Sequence, residues 1–230
     1  MSNSTKGADW VAPDCAGMNF YAVDRGLQSG IAAYLPADLR AVVEPQMDRL
    51  GALGGGRLDE LSRIADRHPP VLHPRDAAGR DLETIEHHPA YREMEQLAYG
   101  EFSMHRMCHV EGVFGWPEAM PPLVRYIFQY LFVQGEFGLI CPVSMADTGL
   151  TLMRNQASDE LKERYLPRML SNDMDELWRC AQFLTEQGAG SDVGNIEVMA
   201  RAEGDHWLID GDKWFCSNAD AEVILLLART

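Results

Sequence analysis

The stretch "FLTEQGAGSD", residues 183–192, decides how the rest of the chain is read. Gly188, Ala189 and Gly190 follow a short apolar run and are flanked by Thr185, Glu186, Ser191 and Asp192. Small residues let main chain approach a neighbour closely, and hydroxyls beside free amides suit a polar neighbour. Two readings fit: a loop laid against a phosphate-bearing cofactor, or an ordinary tight turn. Gly188, Gly190 and Gly194 do not match G-x-G-x-x-G and no helical pattern follows, so the stretch is not the dinucleotide fingerprint.

Around this stretch the periodicity changes. From about residue 180, "IEVMARAE" alternates, and "HWLIDGDKWF" places two β-prone runs around Asp210-Gly211, which predicts a two-residue hairpin there. "EVILLLART" reads as a continuous apolar strand. In "GDKWFCSNA" Phe215 and Ser217 fall on one face of a predicted strand, so an aromatic and hydroxyls from two strands can pack on a flat heterocycle and bond its edge. A β domain ending on "LLLART" leaves an apolar edge that calls for a partner, either a further C-terminal portion or another polypeptide.

Upstream the pattern is helical. "AAYLPADLRAVVEPQMDRLGAL" spaces Leu39, Val42, Val43, Met47, Leu50 and Leu53 on a helical face that Gly54, Gly55 and Gly56 end. "HPPVLHPRDAAGRD" reads as a loop, because Pro69, Pro70, Pro74 and Gly79 do not suit regular helix. Helix resumes from Pro89. "VRYIFQYLF" presents Val124, Ile127, Phe128, Leu131 and Phe132, and "SDELKERYLPRML" opens on Ser158 as N-cap with Asp159 and Glu160 in the first turn. The expected organisation is an arm over 1–20, a helical domain over 21–178 and an incomplete β domain over 179–230.

Composition sets the outer limits. A chain of 230 residues, 46% of them apolar, can bury a real core. Its net charge of −15 repels phosphate backbones and anionic membranes, and no basic patch interrupts it, so this region is not expected to bind nucleic acid. No apolar run reaches the about eighteen residues of a membrane span, and the N-terminus lacks a signal-peptide pattern. Five scattered cysteines without zinc or disulfide spacing fit a reducing cytoplasm.

At "LTEQGAGSD" and "GDKWFCSNA" the sequence resembles the acyl-CoA dehydrogenases, whose flavin signature reads roughly V-T-E-P-G-A-G-S-D with G-x-K-x-W-I-T-N-G downstream. "SDELKERYLPRML" is similar to the helix that precedes their β domain. "CPVSM", "HPPVLHPRDAAGRDLETIEHHPAY" and the "KWF-S" form of the second motif are closest to the adaptive-response branch linked to alkylation damage. The likeness runs over residues 20–230. It implies an α+β fold of the acyl-CoA dehydrogenase type: an N-terminal helical domain and the start of a β-barrel or sandwich domain, with the C-terminal helical bundle absent from this chain.

The resemblance also implies chemistry. FAD would be lined by Gln182, Phe183, Leu184, Thr185, Gly190 and Ser191, with the Leu184 main chain and Thr185 hydroxyl at the isoalloxazine and Ser191 near the pyrophosphate and the acyl thioester substrate. Phe215, Cys216 and Ser217 stand where the family has Trp-Ile-Thr, so Phe215 would pack on the ring and Ser217 would bond its N5 edge. Gln187 replaces the usual Pro, and Trp214 sits one place before Phe215. The implied reaction is α,β-dehydrogenation of an acyl thioester by a homo-oligomeric enzyme. The family's catalytic base, a glutamate of the later bundle, is not in this chain. Two alternatives belong to other classes: a flavin-containing, DNA-protective protein of the alkylation response, and a half-subunit that completes a partner's flavin site.

Other polar groups carry weaker signals. Glu101, His105 and His109 at i, i+4 and i+8 offer a metal one helical face without a fourth ligand, and no metal is expected. His87 and His88 before Pro89 read as solvent-facing. Asp147 and Thr148, after "CPVSM", either mark a plain helix boundary or look toward the substrate or the flavin.

Overall fold

Short polar side chains start the first helices in the computed structural model of the chain, which describes residues 12–230. Asn19 caps α1 (Phe20–Val23), its Oδ1 accepting from the amides of Tyr21 and Ala22, and Asp24 caps α2 (Arg25–Tyr34) through the Leu27 amide. Of the arm expected over 1–20, residues 1–11 lie outside the described residues. From Gly17 the chain is docked: the Gly17 amide donates to the Gly55 carbonyl. Gly51 and Gly55 make this approach possible, because a Cβ at either would run into Asn19 or Met18.

α3 (Ala37–Gly54) begins after Pro36 and buries Leu39, Val43, Met47 and Leu50, as the spacing predicts. α4 (Arg57–Arg67) follows. The next segment corrects the sequence reading, since the expected loop is a β-hairpin of β1 (Val71–Arg75) and β2 (Asp81–Glu86). Pro74 is tolerated because the register shifts between His73 and Arg75, so the ladder does not need the amide that proline lacks. The Asp76 carboxylate closes the turn on the Ala78 and Arg80 amides, and Gly79 takes a φ of 81°.

α5 (Pro89–Glu95) starts from His88, whose Nδ1 accepts from the Ala90 amide, and widens into a π turn over Gln96–Glu101. That turn ends the helix. Glu101, His105 and His109 therefore do not share a helical face, and residues 104–109 form turns. α6 (Pro122–Val133) and α7 (Ile140–Gln156) complete the core, where Phe102, Phe128, Phe132, Leu131 and Leu150 are fully buried. α8 (Asp159–Met169) opens on Ser158, which accepts from the Leu161 amide.

The strands follow. β3 (Cys180–Phe183) pairs in parallel with β6 (Val223–Leu226), and its first residues pack on α7, where Gly149 faces the Cys180 sulfur. β4 (Met199–Glu203) and β5 (His206–Asp210) form an antiparallel hairpin. Its turn is Gly204–Asp205, with Gly204 at a φ of 65°, and not the expected Asp210–Gly211. Gly211, at a φ of 132°, instead bends the chain back against Val198, and residues 211–222 are irregular, with a turn at 217–220, where a strand was predicted. Ladder contacts between Val198, Ala200 and Arg229 tie β4 to the end of β6's strand direction.

Candidate functional site

Thr185 and Trp214 are joined main chain to main chain, the Trp214 amide donating to the Thr185 carbonyl at 2.8 Å. The two motifs, about thirty residues apart, therefore meet. A second link runs beside it: Lys213 Nζ lies 2.7 Å from Glu186 Oε1 and 3.3 Å from the Leu184 carbonyl. Both charged side chains are buried, 8% and 7% exposed. Glu186 also accepts from the amides of Glu197 and Val198. Burial pushes its carboxyl up, but the Glu197 amide, Lys213 and the Val198 amide outweigh this and hold it below the ordinary carboxylate value.

The opening stretch is a tight turn as well. The Glu186 and Ala189 main chains exchange both hydrogen bonds around Gln187-Gly188. Yet the turn itself does not call for its glycines. Neither Gly188 nor Gly190 has a positive φ, and a Cβ on either would meet nothing within 4 Å. Main chain left open on this side, without a conformational reason for glycine, is what close approach of a ligand uses.

The predicted site residues divide into two groups. Gln182 and Phe183 are half-buried on β3, with Gln182 Nε2 donating to the Met145 carbonyl of α7. Leu184, Gly190 and Ser191 are exposed, and Thr185 is partly so. In the second motif Ser217 is exposed, Cys216 half-buried, and Phe215 is 82% exposed at a φ of 56°. The strand face that Phe215 and Ser217 were to share does not exist; they lie on a turn in which the Ser217 amide donates to the Phe215 carbonyl. Turn chemistry wins here because the Asn218 side chain bonds the Cys180 carbonyl and Lys213 is drawn inward to Glu186, so the segment follows anchor points and not a ladder.

Two recesses border the motifs. An apolar one of about 150 Å³ is lined by Thr148 and Leu152 of α7, Gln182, Leu184, Leu225 and Leu227. The other, about 350 Å³, carries Glu186, Glu197, Asp210 and Asp212, a carboxylate density that repels a pyrophosphate. The first recess suits an apolar surface, and of the motif residues it takes Gln182 and Leu184; Thr185, Trp214, Phe215 and Ser217 do not line it.

The remaining polar candidates resolve differently. Asp147 faces inward, bonded to Arg125 at 2.7 Å and His109 Nε2 at 3.1 Å, while Thr148 donates to the Ser144 carbonyl and borders the apolar recess. His105 is fully buried and bonds the Ser171 carbonyl at 3.0 Å. His87 corrects another expectation. It is stacked on Tyr91 and lies 3.6 Å from Asp220, and burial lowers its pKa. Among the described residues no three His, Cys, Asp or Glu side chains converge as a metal site. Glu186 and Lys213 were the functional candidates that motif reading passed over. Their signal is a single base in the second motif, Lys213, with a carboxylate in the first, Glu186, to meet it.

Helices packed on strands whose two motif loops are clamped together define a protein of the acyl-CoA dehydrogenase type. The model of the adaptive response protein AidB N-terminal domain matches residues 11–176, and that of the acyl-CoA dehydrogenase middle domain matches 181–230. The chain belongs to the acyl-CoA dehydrogenase family, near its AidB branch. It is 28% identical to acyl-CoA dehydrogenase family member 11 of Caenorhabditis elegans over 92% of this chain and 34% of that protein. It is 30% identical to the putative acyl-CoA dehydrogenase AidB of Escherichia coli strain K12 over 77% of this chain and 34% of that one. The structure of Caenorhabditis elegans ACDH-11 in complex with C11-CoA superposes with a TM-score of 0.77 at 25% identity, covering 100% of this chain and 39% of that one. The chain thus spans about a third of the length of these curated relatives. No helix among the described residues is long and apolar enough to cross a membrane.

Proposed function

We propose that this chain contributes the flavin-contacting loops of an FAD-dependent oxidoreductase that dehydrogenates an acyl thioester between its α and β carbons. The observation that carries this reading is the junction of the two motifs, through the Thr185 carbonyl with the Trp214 amide and through Glu186 with Lys213. The open main chain at Gly190, which lies outside the acidic recess that Gly188 borders, supports it independently. A bound flavin supplies the acceptor for the substrate's β-hydride. The chain's own part is orientation: Thr185 and Ser217 bond the ring edge, Leu184 and Phe215 cover its apolar surface, Gln182, Phe183 and Cys216 line it, and Gly190 and Ser191 serve the pyrophosphate. Ser191 also faces the thioester. The acyl-CoA class of substrate is supported by the C11-CoA bound to the ACDH-11 relative.

The same proposal divides the chain into a helical unit over 21–178 and a β unit over 179–230 and places it in a cytoplasmic homo-oligomer. Five unpaired cysteines support the compartment. The test is the cofactor: native protein containing the whole β domain should be yellow and release FAD on denaturation. A folded, colourless preparation that takes up no added FAD would overturn the proposal.

A further inference from the structure

Each half of the flavin-facing surface proposed above sits on a loop with little regular structure of its own. Thr185 follows the end of β3, and Ser217 lies in the irregular segment 211–222. What fixes one loop against the other is therefore a small number of contacts. The Trp214 amide to the Thr185 carbonyl is one, and the Asn218 side chain to the Cys180 carbonyl at 3.3 Å is another. The buried pair of Glu186 and Lys213 is the third, and it has the widest reach. Lys213 Nζ holds both Glu186 and the Leu184 carbonyl, and so grips the first motif on either side of Thr185. Glu186 in turn gathers the amides of Glu197 and Val198, which lead into β4.

The chemistry of the pair explains why it is suited to this work. A lysine ammonium presents three donors and a carboxylate four acceptor sites, so one buried pair can bond several segments at once without leaving a charge unsatisfied. A neutral pair of the same size lacks that valence. Neither side chain needs to touch the cofactor. They act through the main chain on which Thr185 and Trp214 lie, 2.8 Å apart at the carbonyl and amide.

We infer that Glu186 and Lys213 are positioning residues that hold the two motifs in one register, and that flavin retention depends on this ion pair without direct contact. The inference rests on the flavin reading above. Its test uses the full chain with Glu186→Gln, Lys213→Met, the double variant and Lys213→Arg, measured for FAD affinity by titration, for the flavin's visible circular dichroism and for thermal unfolding of the FAD-free form. The expected result is FAD binding weakened about tenfold or more in each single variant. The double variant should lose little beyond either single one, the circular dichroism of residual bound flavin should change, and Lys213→Arg should recover part of the affinity. Unaltered affinity and spectrum in folded Glu186→Gln, with wild type binding FAD, would overturn this inference alone. Loss of unfolding temperature with affinity unchanged in the folded fraction would overturn it as well. Wild type that binds no FAD would remove the flavin reading and this inference together. Variants too unstable to titrate leave Lys213→Arg as the arbiter: folded with part or all of the wild-type affinity supports the pair, and folded but unable to bind overturns it.

Discussion

Arg179 reaches Glu95 at 3.4 Å, and this contact joins the helical layer to the strands. Glu95 is almost wholly buried on α5, while Arg179 enters β3 and also holds Asp220 at 3.3 Å and Glu222 at 3.1 Å. Burial pushes the Arg179 guanidinium down, and Glu222, Asp220 and Glu95 together more than reverse this. Arg179→Met should destabilise the fold by about 3 kcal/mol, because removing one partner leaves buried carboxylates short of a counter-charge. Urea unfolding of the variant beside wild type checks this, and a loss within error of zero would refute it.

Close packing of α7 on β3 depends on Gly149. A Cβ there would meet the Cys180 sulfur, which is itself buried. Gly149→Ala should therefore lower stability by about 1–3 kcal/mol, despite alanine's better helix propensity. Adding Cys180→Ala should return part of the loss. Thermal unfolding of the single and double variants decides between overpacking and some other origin.

Buried His105 predicts a pH dependence. Desolvation drives its imidazole down to about 3 from 6.5, against the Ser171 carbonyl, which favours the proton, and with Arg106 and His109 adding to the fall. The denatured chain takes up a proton below about pH 6.5 that the native chain refuses until about pH 3. The contribution is whole above that window and is lost as pH falls through it. Between pH 6.5 and 5, above the main carboxylate range, wild type should lose up to about 1.4 kcal/mol more per pH unit than His105→Gln. Equal slopes for the two would sink this assignment.

The flavin reading makes its own demand on two hydroxyls. Thr185→Val and Ser217→Ala should each weaken FAD binding or shift the flavin's potential by the equivalent of about 0.5–1.5 kcal/mol. Ser217 is exposed, so its variant should leave FAD-free stability unchanged. Affinity and potential both unmoved in both variants would count against the placement of these residues.

The sequence by itself determined the helices α3, α6 and α8, the buried faces of α3 and α6, the Ser158 cap, the change to strands near residue 180 and the two motifs that point to a shared site. These are local signals, carried by side chains three, four or two positions apart and by caps that bond their own helix. Only the tertiary structure decided the rest. Pro74 sits in a strand because a bulge removes the need for its amide, and α5 stops because a π turn follows it. The hairpin turns at Gly204–Asp205 because that register pairs Met199 with Asp210 and leaves Gly211 free to bend against Val198. Phe215 and Ser217 leave the predicted strand because Lys213 is drawn to Glu186, twenty-seven residues earlier, and Asn218 to Cys180. In the second motif the winning term is the satisfaction of polar groups by partners distant in sequence, and in the hairpins it is the strand register; no local periodicity encodes either.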